Sequence, residues 1–140
     1  MSVPVNERGK GKLEVFSKSL ALCKYTLEIT SNEKVFIPRY QSSLTSRIAD
    51  AALSIHADAW KANNIAVSSR ETLGARQALQ AAAIAACYEL LSLVDIAKPI
   101  FHLETRRVIY WTKLVLETRA LLRAWKDSDA ERYRKYKSGM

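Results

Sequence analysis

An all-α fold, four helices packed up-down-up-down as a bundle, is what this sequence predicts, and three observations carry the expectation. Apolar residues return at steps of three and four in four separate stretches, the period of one face of an α-helix. Glycine (four) and proline (three) are scarce among 140 residues, so the turns that a many-stranded sheet needs have few residues to build them. Short links join the four stretches, and short links make consecutive helices antiparallel neighbours. The length suits one domain.

Residues 1–12 are polar, hold Pro4, Gly9 and Gly11 beside Arg8, Lys10 and Lys12, and read as a flexible basic arm ahead of a bundle at 13–126. In the first helix Phe16, Leu20, Cys23 and Leu27 step by four, three and four, which predicts the buried face, and the helix ends near residues 30–32. Pro38 disfavours helix at Ile37 and suits the first turn of the next one, which therefore begins close to Arg39. Leu44, Ile48, Ala51, Ile55, Ala59 and Ala62 form its stripe, and Asn63 and Asn64 can stop it by taking the left-handed conformation. Ser68 and Glu71 fit a capping box that starts the third helix, whose seam is Leu79, Ala83, Ala86, Leu90, Leu93 and Ala97 and which closes at Lys98 and Pro99. Seven alanines between 75 and 87 either invite a close neighbour or simply favour helix. The last helix runs from about Leu103 to Trp125 or Lys126, with Leu103, Tyr110, Leu114, Leu121 and Trp125 inward and Trp111, Val115 and Leu122 widening the face. Residues 127–140 read as a charged tail that frays into solvent.

No catalytic constellation is legible. His56 and His102 lack the spacing of a metal pair, and Cys23 and Cys87 sit in apolar helical patterns that read as reduced core positions. Phosphate-binding loops, dinucleotide fingerprints and nucleophile elbows are missing, and Asp50 and Asp58 each have a nearby base, Arg47 and Lys61. The expectation is a chain with no enzyme activity, no cofactor and no metal. No uninterrupted apolar run approaches the ~18 residues of a membrane span, and the first residues lack the apolar stretch of a secretory signal, so a cytoplasmic protein is expected.

The net charge of +8 favours polyanions as partners. Ten basic and five acidic residues fall between His102 and Met140. Arg119, Arg123 and Lys126 share one helical face, Arg106 and Lys113 another, and with Arg107 and Arg132 they are the candidate contacts for RNA or DNA phosphates. Tyr133 and Tyr136, set among Arg132, Arg134, Lys135 and Lys137, offer rings on which an unpaired base could stack. A solvated helix face followed by a charged tail would carry the same residues.

Three stretches, KSLALCKYTLEITSNEKVFIPRYQSSLTSRIADAALSIHADAWKANNI, the third-helix seam and YWTKLVLETRALLRAWKDSDAERY, resemble a family of small four-helix-bundle proteins. The family comprises the accessory variability determinant (Avd) proteins of diversity-generating retroelements and, more distantly, proteins encoded in intervening sequences of ribosomal RNA genes. The resemblance covers most of the chain from Leu13 to Tyr133, and its specific parts are the ITSNEK to PRY junction and the YWTKL to AWKDSD segment. It implies a partner of a reverse transcriptase that binds RNA or DNA through a basic surface, assembles as a pentameric ring and supports mutagenic cDNA synthesis without catalysing it. The alternative is a structural protein-interaction module of the intervening-sequence type, with basic charge serving solubility.

Overall fold

The computed structural model describes residues 5–137, and of residues 5–10 the backbone only. The protein is all-helical: α1 (Val5–Thr30), α2 (Ser46–Asn63), α3 (Arg70–Ile100), α4 (Thr105–Arg132) and a short α5 (Arg134–Lys137), with no strand among the described residues. The four long helices share one core, in which Leu22, Ile48, Ile55, Leu90, Trp111 and Leu122 are fully buried, each worth roughly 1.5–3 kcal/mol. α1 packs on α2 and α4, and α3 packs on the same two helices. Contacts of Phe16 with Trp125, Lys18 with Glu117 and Thr26 with Trp111 show that α1 and α4 run antiparallel.

Helix α1 departs from its expected face. Val15, Ser19, Leu22, Thr26 and Thr30 are buried, whereas Leu20 and Leu27 are 55% and 40% exposed; of the expected seam only Cys23 is buried, with Phe16 half-buried. The true face lies roughly a quarter turn away. It looks too polar to bury, yet its hydroxyls are satisfied locally: Thr26 donates to Leu22 O (2.8 Å), Thr30 donates to Thr26 O (2.7 Å), and Trp111 Nε1 donates to Thr26 Oγ1 (3.0 Å). The expected arm is also corrected, because α1 is helical from Val5 and only residues 1–4 of 1–12 lie outside the described residues. Once a helix is nucleated each added residue gains a hydrogen bond, and Glu7, Arg8, Lys10 and Lys12 are good helix formers.

After α1, Phe36 inserts between Phe101 and Trp111, with ring centroids 4.5 and 6.3 Å away. Ile37 is extended before Pro38, which opens a 3₁₀ turn over Pro38–Tyr40 and then a π turn over Gln41–Thr45 leading into α2. All six expected stripe residues of this segment, Leu44 to Ala62, are buried. Its end differs from expectation: Asn64 stays right-handed at φ −83° and stops the helix by donating from Nδ2 to Trp60 O (2.9 Å).

The capping box of α3 lies one residue later than Ser68 and Glu71. Ser69 Oγ accepts from Thr72 N–H (3.1 Å), and the Thr72 hydroxyl accepts from the N–H groups of Ser68 and Ser69 (2.9 Å each). Glu71 then occupies the first turn, where its charge suits the helix dipole. The seam is buried save for half-buried Leu79. Pro99 sits inside the last turn rather than ending it, and His102, left-handed at φ 53°, lets Leu103 N–H reach Lys98 O (3.0 Å). By length and composition α3 could cross a membrane, contrary to the reading of uninterrupted runs, because Glu89 is its sole charge between Arg76 and Asp95. One face of α3 nevertheless fills the core and carries Arg76 and Gln80 inward.

Helix α4 extends past the expected end at Lys126 to Arg132, and α5 follows after Tyr133, so residues 127–132 and 134–137 are helical rather than a frayed tail, while 138–140 lie outside the described residues. The cause is Asp129, 2% exposed, whose carboxylate takes Arg76 Nε at 2.7 Å, Arg76 Nη2 at 3.2 Å and Gln80 Nε2 at 2.7 Å. Arg76 also donates from Nη1 to Ile65 O (3.2 Å) and lies 5.3 Å from the Trp125 ring centroid. Tyr110, expected inward, is 52% exposed.

Gly74 is exposed in the first turns of α3, and a Cβ there would meet nothing within 4 Å. Gly74→Ala is therefore expected to stabilise the protein by roughly 0.5–1 kcal/mol in urea unfolding, with an unchanged m-value.

Candidate nucleic-acid interface

The basic residues of α4 separate into groups on different flanks of the helix. Arg119 and Arg123, one turn apart, turn toward α3, where their guanidinium carbons lie 5.2 and 5.7 Å from the centre of the Tyr88 ring. Arg123 Nη2 donates to the Tyr88 hydroxyl at 2.5 Å. Neither arginine has a carboxylate within salt-bridge distance among the described residues, and Arg119 Nε is buried with no hydrogen-bond partner. Two cations held on one aromatic ring without a counter-ion form a platform suited to phosphate oxygens. Lys126 is half-buried one turn beyond Arg123.

About 24 Å away along the helix axis, at 1.5 Å per residue, Arg106 and Arg107 occupy the first turn of α4. With Tyr25 of α1, Glu104 and Tyr110 they line a pocket of about 310 Å³. Tyr25 and Tyr110 meet edge to face with centroids 5.0 Å apart. Burial pushes the Tyr25 hydroxyl pKa up, Arg107 pulls it back, and Tyr110 adds to the rise. Lys113 is separate from both groups, lining an open apolar groove with Val108, Ile109, Leu116 and Ala120. Arg132 stacks on Tyr133 at 5.1 Å, on the exposed C-terminal turn. Tyr133 and Tyr136 lie beside each other there, with centroids 6.4 Å apart.

Sequence reasoning placed the arginines and missed the rings that organise them. Tyr88 precedes Arg119 by 31 residues and Tyr25 precedes Tyr110 by 85, so no local spacing could pair them. The two cysteines are free and buried, as their apolar patterns predict, and burial pushes the Cys87 thiol up to about 12 against a smaller opposing pull from Arg119. A second exposed feature is apolar: Leu13, Leu20 and Leu27 recur every seven residues along α1 at 68%, 55% and 40% exposure.

His56 joins α1 to α2. Its Nε2 accepts from Trp60 Nε1 (3.0 Å), which places the ring proton on Nδ1 to donate to Ser19 Oγ (2.7 Å). Burial lowers its pKa, so the folded ring resists protonation.

Comparison with family models, with curated proteins and with solved structures gives no match for this chain.

Because the unfolded chain takes up the His56 proton near pH 6.5 while the folded chain takes it up only at lower pH, stability should fall as pH drops through that value. Thermal unfolding at pH 7.5 and 5.5 is expected to show a lower Tm at the acidic pH. His56→Gln should shrink that difference, and an unchanged difference would exclude His56 as its source.

Proposed function

We propose that this chain is a non-catalytic nucleic-acid-binding accessory protein that works in the cytoplasm beside a reverse transcriptase, its long helices forming an up-down-up-down four-helix bundle that assembles into a ring. The observation that carries the binding role is the convergence of Arg119 and Arg123, without carboxylate partners, on the Tyr88 ring. Rows of such cations bind phosphate backbones because each neutralised phosphate releases condensed counterions. The net charge of +8 adds a long-range attraction that speeds encounter. The resemblance to the Avd family supports the reverse-transcriptase partner, the retroelement role and the pentameric ring.

A second reading, a protein-interaction module whose charge serves solubility, is favoured by one observation: the leucine row 13, 20 and 27 on α1 lies open to solvent. A partner protein retained on the wild-type chain after nuclease treatment and in high salt, and lost when Leu20 becomes Glu, supports this reading.

Binding to RNA and DNA oligonucleotides measured by anisotropy across a salt series separates the two. The accessory role predicts that log affinity falls linearly with log salt. It further predicts that replacing Arg119, Arg123 and Lys126 together by alanine weakens binding and makes the slope shallower by about one for every phosphate no longer neutralised. Affinity and slope untouched by the triple change contradict the assignment of this surface.

A further inference from the structure

We propose that the pocket formed by Tyr25, Tyr110, Arg106 and Arg107 holds one unpaired nucleotide, its base stacked on Tyr110 and its phosphate on the two arginines, so that the protein prefers single strands to duplex. This rests on the nucleic-acid-binding reading above and assigns it a substrate class.

Four observations converge on the pocket. Its volume, about 310 Å³, lies at the small end of the ~300–1,000 Å³ typical of ligand sites. Tyr110 keeps 52% of its surface exposed although it interrupts an inward-facing stripe, and its contact with Tyr25 at 5.0 Å holds the ring in place before any ligand arrives. A ring fixed beforehand loses little entropy when a base stacks on it. Next, Arg106 and Arg107 sit in the first turn of α4, where the helix dipole repels cations; no acidic residue shares that turn, and the N-cap Glu104 reaches Arg106 but forms no ion pair with Arg107. A local preference broken in this way marks a place where something other than folding selects the residues. An anionic group would relieve the conflict, because both the arginines and the helix start attract it. Finally, Glu104 pairs only loosely with Arg106, at 3.4 Å with both side chains largely exposed, which leaves a carboxylate at the rim able to accept an exocyclic base amine. A duplex cannot offer an unstacked base to such a pocket, whereas a single strand can.

The test compares a mixed-sequence 20-mer as single-stranded DNA, as single-stranded RNA and as DNA duplex, each titrated with the full chain and with Tyr110→Ala, Tyr110→Phe and Arg107→Ala. Circular dichroism verifies that each variant retains its helix. Tyr110→Ala is expected to lower single-strand affinity on the order of tenfold, leave duplex affinity and the salt slope unchanged, and be rescued by the retained ring of Tyr110→Phe. Arg107→Ala should make the slope shallower by about one. The DNA and RNA arms show which sugar the pocket accepts, and a loss in either supports the proposal. If Tyr110→Ala binds single strands like the wild type, the pocket is overturned, and the charged surface stands on its own when the triple change of Arg119, Arg123 and Lys126 to alanine weakens binding. If the wild-type chain binds none of the three, the nucleic-acid reading falls and the pocket with it.

Discussion

A guanidinium and a carboxylate locked together in the buried interior hold the end of α4 in place. Arg76 and Asp129 are 7% and 3% exposed at their side chains, joined through two nitrogens and two oxygens, with Gln80 completing the carboxylate's partners and Ile65 O taking a further arginine proton. Removing either charge would strand the other away from water, which is far costlier than losing an exposed pair. The interaction also ties together three parts of the chain: the start of α3, the link before it and the end of α4. Trp125, one turn before Asp129, packs under the guanidinium and meets Phe16 of α1, so the pair is continuous with the aromatic core.

From that anchor the two basic groups follow. With the end of α4 fixed on α3, Arg119 and Arg123 face Tyr88, the opposite flank of the same helix faces α1, and Arg107 there meets Tyr25. One helix thus carries two cationic, aromatic surfaces about 24 Å apart along its axis. A flexible polyanion could engage both, whereas a compact ligand could fill only one.

Much of the fold was legible because helical periodicity is a strong signal. The stripe of α2 is buried to the last residue, and Leu90, Leu93, Leu114, Val115, Leu122 and Trp125 are buried as their spacing demands. Two of the departures share one cause: polar atoms that find partners inside. On α1 the buried face is written in Ser19, Thr26 and Thr30, so a hydrophobicity pattern selects Leu20 and Leu27 instead. Asp129 reads as part of a solvated tail because its partners, Arg76 and Gln80, lie about fifty residues earlier. The candidate interface was half legible, since charge clusters along α4 appear in sequence, while Tyr25 and Tyr88 beside them belong to α1 and α3.

The ion pair is tested most directly by a double-mutant cycle on unfolding free energy, using Arg76→Met, Asp129→Leu and the two together. If the pair is the anchor, each single change costs about 3–5 kcal/mol, because a charge is left buried alone, and the double change costs far less than their sum. Small single costs, or costs that simply add, would show that α4 is held by apolar packing and that the pair is incidental.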